Sequence, residues 1–197
     1  MKTRVLTLLM LLSFVGPTNA QGSKACFYGS FGGGVGLATT ALYDIGVNFK
    51  LENFASSATM LVTKKNADNV PYNYQPGLHF FERATPQQYL SGLSFEAGPV
   101  FYLPAIKSRI LLKAGVFIGF YDHPENFTPS SGFLSANYTY ERIEDEAFGL
   151  VLHPVLELPV NKWFGFSVGA RGIFSDASSM AAIDINLMVG KVKNSRH

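Results

Sequence analysis

Tyr43-Asp44-Ile45-Gly46-Val47-Asn48-Phe49-Lys50 alternates without a break between a bulky apolar residue and a small or polar one. A period of two sends successive side chains to opposite faces of an extended strand. This stretch is therefore a strand with one greasy face and one face of glycine, amide and charge.

The same signature recurs along the chain. Upstream, Cys26 to Leu37 sets Phe27, Phe31, Val35 and Leu37 against Tyr28, Ser30, Gly32, Gly34 and Gly36. Downstream, weaker alternation runs from Ala55 to Lys64, then stronger alternation over Leu93–Leu103, Arg109–Tyr121, Ala147–Leu158, Phe164–Arg171 and Ile183–Gly190. That makes eight strands of roughly ten residues, the number in the smallest closed transmembrane barrel. No helical periodicity interrupts them.

The polar face decides which way the apolar face points. It carries Asp44, Lys50, Glu96, Arg109, Lys113, His153, Glu157, Arg171 and Asp184, interleaved with glycines such as Gly46, Gly98, Gly115 and Gly169. A solvated face would carry long polar residues nearly everywhere. A narrow barrel interior instead needs glycines to make room for a few charges, which must pair because a lone buried charge is costly. The apolar face, continuous and with nothing in the chain to cover it, then faces lipid.

Connection lengths agree. Short links at Leu51–Phe54, Pro104–Ser108 and Pro159–Lys162 alternate with longer ones at about 65–91 and 122–146, as short inner turns and long outer loops require. Links near 38–40 and 175–180 are modest. Aromatics gather at the strand ends, with Phe27, Phe49, Phe101, Trp163 and Phe164 toward the short turns. Tyr43, Phe120, Tyr121 and Phe174 lie toward the long loops, giving two interfacial belts.

Composition supports this reading. Of 197 residues 47% are hydrophobic yet only 15% are charged, with 19 glycines. After the N-terminus no apolar run approaches the ~20 residues of a spanning helix. The net charge of +2 offers no footprint for nucleic acid. A single cysteine, Cys26, permits no internal disulfide. Residues 1–20 read as a cleaved secretory signal: Lys2 and Arg4, an apolar core over 5–15, then Thr18-Asn19-Ala20 before Gln21. The expected organisation is a signal at 1–20, a barrel at 21–193 and a tail at 194–197.

With Tyr28-Gly29-Ser30-Phe31-Gly32-Gly33-Gly34 and Leu93-Ser94-Phe95-Glu96-Ala97-Gly98 in place, the chain resembles the OmpA/OmpX-type eight-stranded outer-membrane barrels, including the compact versions of Bacteroidetes-like bacteria. The resemblance spans nearly all of the mature chain. It implies an all-β, antiparallel, up-and-down barrel in the outer membrane, with membrane lipids and the barrel-insertion machinery as partners. Where such barrels often end on an aromatic residue, this chain continues Lys193-Asn194-Ser195-Arg196-His197. Pro99 and Pro154 fall inside strands, where each removes a ladder donor, and bulges are expected there.

No catalytic or metal-binding motif emerges. The glycine run 29–34 lacks the lysine and following helix of a phosphate loop. His79, His123 and His197 are scattered outside the strands. His153 and Glu157 share a face but lie ~13 Å apart along a strand, too far to share a metal. Neither His123-Pro124-Glu125 nor His153-Pro154-Val155 shows the His-x-Ser arrangement of lipid A deacylases. The expectation is a non-enzymatic barrel without cofactor, its interior plugged by side chains, serving envelope structure or surface interaction. The stretch 135–142 is expected to extend a hairpin above the membrane, with possible ligand contacts at 65–91 and 122–146. The alternatives are a narrow conduit for small or hydrophobic solutes, as in OmpW-like barrels, and, more remotely, a lipid A-modifying enzyme.

Overall fold

The computed structural model describes residues 25–36, 41–77, 85–131 and 136–193. The expected signal at 1–20, the tail at 194–197, Leu37, the link at 38–40, His79 and Ser135 lie outside the described residues.

Eight antiparallel strands close into one barrel in chain order: β1 Cys26–Gly36, β2 Ala41–Leu51, β3 Phe54–Asn66, β4 Gln87–Leu103, β5 Ser108–Pro129, β6 Tyr138–Pro159, β7 Phe164–Ser175 and β8 Ser179–Lys191. β8 returns to pair with β1, from Phe27↔Lys191 to Gly36↔Ala182, so the barrel has no open seam. A two-residue turn at Glu52-Asn53 joins β2 to β3, and a three-residue 3-10 turn at Pro104–Ile106 joins β4 to β5. No α-helix occurs among the described residues.

The faces run as alternation demands. Val47, Ile118, Leu152 and Val168 point outward and are 50%, 48%, 53% and 39% exposed, whereas Glu96 and Arg171 are each 3% exposed inside. Phe27, Tyr43, Phe49, Phe101, Phe120, Trp163 and Phe174 are exposed on the same outer surface, with Phe164 half-buried. Tyr121 differs. Phe120 already occupies the outward position, so the next residue must turn inward. Its hydroxyl donates to Gln88 Oε1 at 2.9 Å over the barrel mouth, outside the aromatic belt.

The interior is layered along the axis. Toward the long loops, Leu42, Leu61, Leu90, Phe117, Val151 and Ile173 form an apolar cluster, with Tyr121, Ala177 and Met180 packed against it. Charged and polar groups fill the middle. Toward the short turns sit Cys26, Tyr28, Met188 and Val192, and beside them Ala55, Val100, Leu111 and Val155. Glycines and paired charges alone therefore do not fill the barrel. Apolar groups on both faces of one strand explain uninterrupted runs such as Met60-Leu61-Val62 and Leu150-Val151-Leu152.

No bulge forms at either strand proline. The β4–β5 register passes unshifted from Ala97↔Ala114 to Val100↔Leu111, and β6–β7 from Leu152↔Gly172 to Val155↔Gly169. Each proline removes one donor facing one neighbour, and the flanking pairs hold the register. The ladder slips instead between Glu125 and Thr128 in β5, where Asn126 takes the left-handed conformation with φ 55°. One residue more in β5 than in β6 is the count of a β-bulge.

Candidate functional site

The interior network grows from one side chain per strand, each placed inward by parity. His153 on β6 stands between two carboxylates. Its Nδ1 lies 2.9 Å from Glu96 Oε2 on β4, and its Nε2 lies 3.1 Å from Asp184 Oδ2 on β8. Lys113 on β5 approaches Glu96 at 3.0 Å and donates to Ser57 Oγ at 2.9 Å. Arg171 on β7 reaches Asp44 on β2 at 3.0 Å and Asp184 at 3.5 Å. Three carboxylates thus meet a lysine and an arginine around one imidazole.

Below this layer lies a separate pair. Arg109 is ion-paired to Glu157, and the Tyr28 hydroxyl donates to the same carboxylate. Arg109 also donates from Nη1 to the Val192 carbonyl at 2.9 Å. His153 and Glu157 share the interior but belong to different layers. Lys50 belongs to neither, donating to the Tyr102 hydroxyl at 2.8 Å. All nine of these charged groups are buried. A space among them, bordered by Asn48, Thr59 and Asn186, is about 20 Å³, room for about one water. Among the described residues no group of three or more potential ligands is arranged for a metal.

The second candidate surface lies at the opposite extreme of exposure. β5 and β6 continue as a two-stranded hairpin, pairing from Asp122↔Glu144 to Pro129↔Tyr138. Above Gly149↔Ser175, β6 has no partner in β7. The segment 69–77 docks against the other side. Gln75 N–H donates to Asn137 Oδ1 at 2.7 Å, Asn137 Nδ2 to the Asn73 carbonyl at 2.8 Å, and the Tyr138 hydroxyl to Asn73 Oδ1 at 2.9 Å. Tyr74 stacks on Tyr138 and meets Phe127 edge-on, while Phe127 contacts Tyr140.

Ion pairs trim this region. Arg142 binds Asp122 at 2.7 Å, and the hydrogen bonds it donates to that carboxylate raise the pKa of the guanidinium further. Lys65 donates to Asp68 at 2.6 Å and holds that carboxyl below its ordinary range. His123 stacks on Tyr121 and lies 3.0 Å from Glu125.

Periodicity reaches the interior charges because parity alone sends them inward. It does not reach Tyr28 as a partner of Glu157, nor the clamp of Asn73, Gln75 and Asn137. The clamp joins residues more than sixty positions apart, and no local pattern marks such a contact.

Solved structures similar to the chain include two of one protein. One is the crystal structure of Ail, the attachment invasion locus protein of Yersinia pestis, at 8% identity. The other is the same protein in complex with the heparin analogue sucrose octasulfate, at 9% identity. Each has a TM-score of 0.47 and covers 85% of this chain and 96% of that chain. No protein-family model and no curated protein sequence matches the chain.

Proposed function

We propose that this protein is a non-enzymatic outer-membrane β-barrel whose interior is plugged and whose long-loop end serves envelope structure or surface interaction. The observation that carries the reading is the inversion of a soluble protein. Exposed aliphatic and aromatic side chains girdle the closed barrel while charges are buried at its centre. Exposed apolar surface of that extent is unfavourable in water and favourable against acyl chains. Each strand, from 11 residues in β1 and β2 to 22 in β5 and β6, reaches the ~9–11 residues needed to cross.

The plug supports a structural rather than a transporting or catalytic role. The apolar cluster lies across the long-loop end, and the space found among the central charges has room for about one water. The His153 and carboxylate groups are mutually paired and enclosed, which supports the same reading. The hairpin over 122–146 and the segment docked on it give the surface that a ligand outside the cell would meet. Membrane lipids and the insertion machinery are the partners this reading requires.

The test is cell fractionation combined with gel mobility of unheated against boiled protein. A barrel in the outer-membrane fraction migrates differently before boiling. A soluble chain with one mobility would refute the proposal. Step conductance in a planar bilayer would replace the plugged reading with a conduit, and altered lipid A mass spectra on deletion would replace it with an enzyme.

A further inference from the structure

Charges outside the barrel wall are divided unevenly between its ends. The long-loop end is mostly acidic: its hairpin presents Asp122, Glu125, Glu141, Glu144, Asp145 and Glu146 against Arg142, with Lys64 and Lys65 beside it at the end of β3. At the short-turn end the described residues present Lys107, Lys162, Lys191 and Lys193, with Glu52 as the one exposed acid.

Three of these lysines gather at one corner. The Lys162 carbonyl accepts the Val192 N–H at 2.9 Å and the Lys193 N–H at 3.3 Å, while the Trp163 carbonyl accepts the Gly190 N–H at 2.9 Å. The end of β8 is thereby laid across the β6–β7 turn, with Lys191 and Lys193 flanking the residue bonded to Lys162. Gly190 makes the fit possible. Its φ is +129°, and a Cβ there would stand 2.8 Å from Tyr28 Cα. Lys162 Nζ sits 5.0 Å from the centre of the Trp163 ring. None of the three ammonium groups has a carboxylate partner among the described residues. Trp163 is 59% exposed and continues directly into the outward apolar band at Phe166, Val189 and Phe27.

A tryptophan at the edge of an apolar band marks the level of lipid headgroups. Unneutralised lysines at that level attract anionic lipid, each by about fivefold near a charged surface. We propose that Lys162, Trp163, Lys191 and Lys193 form a binding site for the phosphate headgroup of an anionic phospholipid in the leaflet on the short-turn side. The site anchors the barrel by its closing seam. It rests on the membrane reading above, which supplies the leaflet.

The chain carries its own reporter, since Trp163 is its one tryptophan. The full chain is reconstituted in phosphatidylcholine vesicles containing brominated lipid, either phosphatidylglycerol or phosphatidylcholine, and quenching of Trp163 emission is measured. The brominated anionic lipid should quench at roughly tenfold lower mole fraction. That preference should vanish in the K162Q/K191Q/K193Q variant and shrink in high salt. Inorganic phosphate added to plain phosphatidylcholine vesicles should leave the emission unchanged.

Equal quenching by both lipids in an inserted, heat-modifiable barrel would overturn this site and leave the membrane reading intact. Undiminished preference in the triple variant would overturn it too, and a saturable response to phosphate alone would reassign the lysines to a soluble anion. A chain that stays outside the vesicles would overturn both.

Discussion

Gly169 on β7 faces His153 on β6 so closely that a Cβ built on the glycine would lie 2.7 Å from the imidazole Nε2. The missing side chain is what lets the imidazole stand between its two carboxylates. That Cβ would stand closer still to Asp184 Oδ1, so Gly169→Ala should force His153 and Asp184 to shift and destabilise the barrel by about 1–3 kcal/mol, the usual cost of overpacking a filled interior. Urea unfolding of refolded protein in vesicles measures it. A variant as stable as the parent would mean the ring sits elsewhere.

Arg171 is shared by Asp44 and Asp184. Arg171→Met leaves two buried carboxylates without their cation, and breaking a buried pair from one side costs about 3–5 kcal/mol. Adding Asp44→Asn to that variant should recover part of the loss, because one of the stranded charges is gone. If the second change made matters worse by its own full cost, the two groups would not be coupled.

Leu152 lies outward on β6, opposite Ala114 of β5 and Gly172 of β7, at the level of the central charges. Leu152→Arg should lower folding stability in vesicles by about 2–4 kcal/mol, as for an arginine at the bilayer midplane. The same residue at Tyr140, on the hairpin, should cost little. Equal tolerance at both positions would argue that acyl chains do not surround the middle of the barrel.

Asn137 holds the 69–77 segment to the hairpin through two backbone groups, at Gln75 and Asn73. Asn137→Ala removes both bonds, each worth about 1 kcal/mol. Amide hydrogen exchange at Gln75 should quicken by roughly tenfold while barrel amides below Gly149 stay protected. Unchanged exchange at Gln75 would show that the segment is secured without the Asn137 side chain, by the aromatic stack, the Tyr138 hydroxyl and the Asn137 N–H bond to the Gln75 carbonyl.

The hydrogen bond from Lys65 lowers the pKa of Asp68, with a smaller contribution from Gln88 Nε2 at 3.2 Å. A carboxyl depressed in the folded state adds stability above its unfolded pKa and loses it as pH falls through the folded one. The Asp68 side-chain carbon should therefore titrate below the ordinary aspartate value of about 3.9. In Lys65→Gln its midpoint should move up toward that value. A midpoint indifferent to the substitution would sever the link.

Strand identity and the direction of most wall residues are legible in the sequence because parity is local. Once Ile45 faces lipid, Asp44 and Gly46 must face the axis, and each strand repeats the inference. Clustering of aromatics at strand ends puts the adjacent Phe120 and Tyr121 in one belt, whereas parity turns Tyr121 inward toward Gln88. The apolar cluster of Leu61, Phe117 and Val151 was hidden for a related reason. In a run apolar on both faces, periodicity does not distinguish a lipid-facing residue from a core residue.

The sequence by itself determined the alternation, the even strand number, the short and long connections, and which charges would be enclosed. Tertiary structure alone decided who meets whom inside. Glu96, His153 and Asp184 sit on three different strands, and their meeting depends on the stagger of a closed sheet. Stagger is set by hydrogen-bond register summed around the whole barrel, and no single segment encodes that sum. The same holds for the lysine corner at Trp163, which exists because β8 ends beside a turn that precedes it by nearly thirty residues.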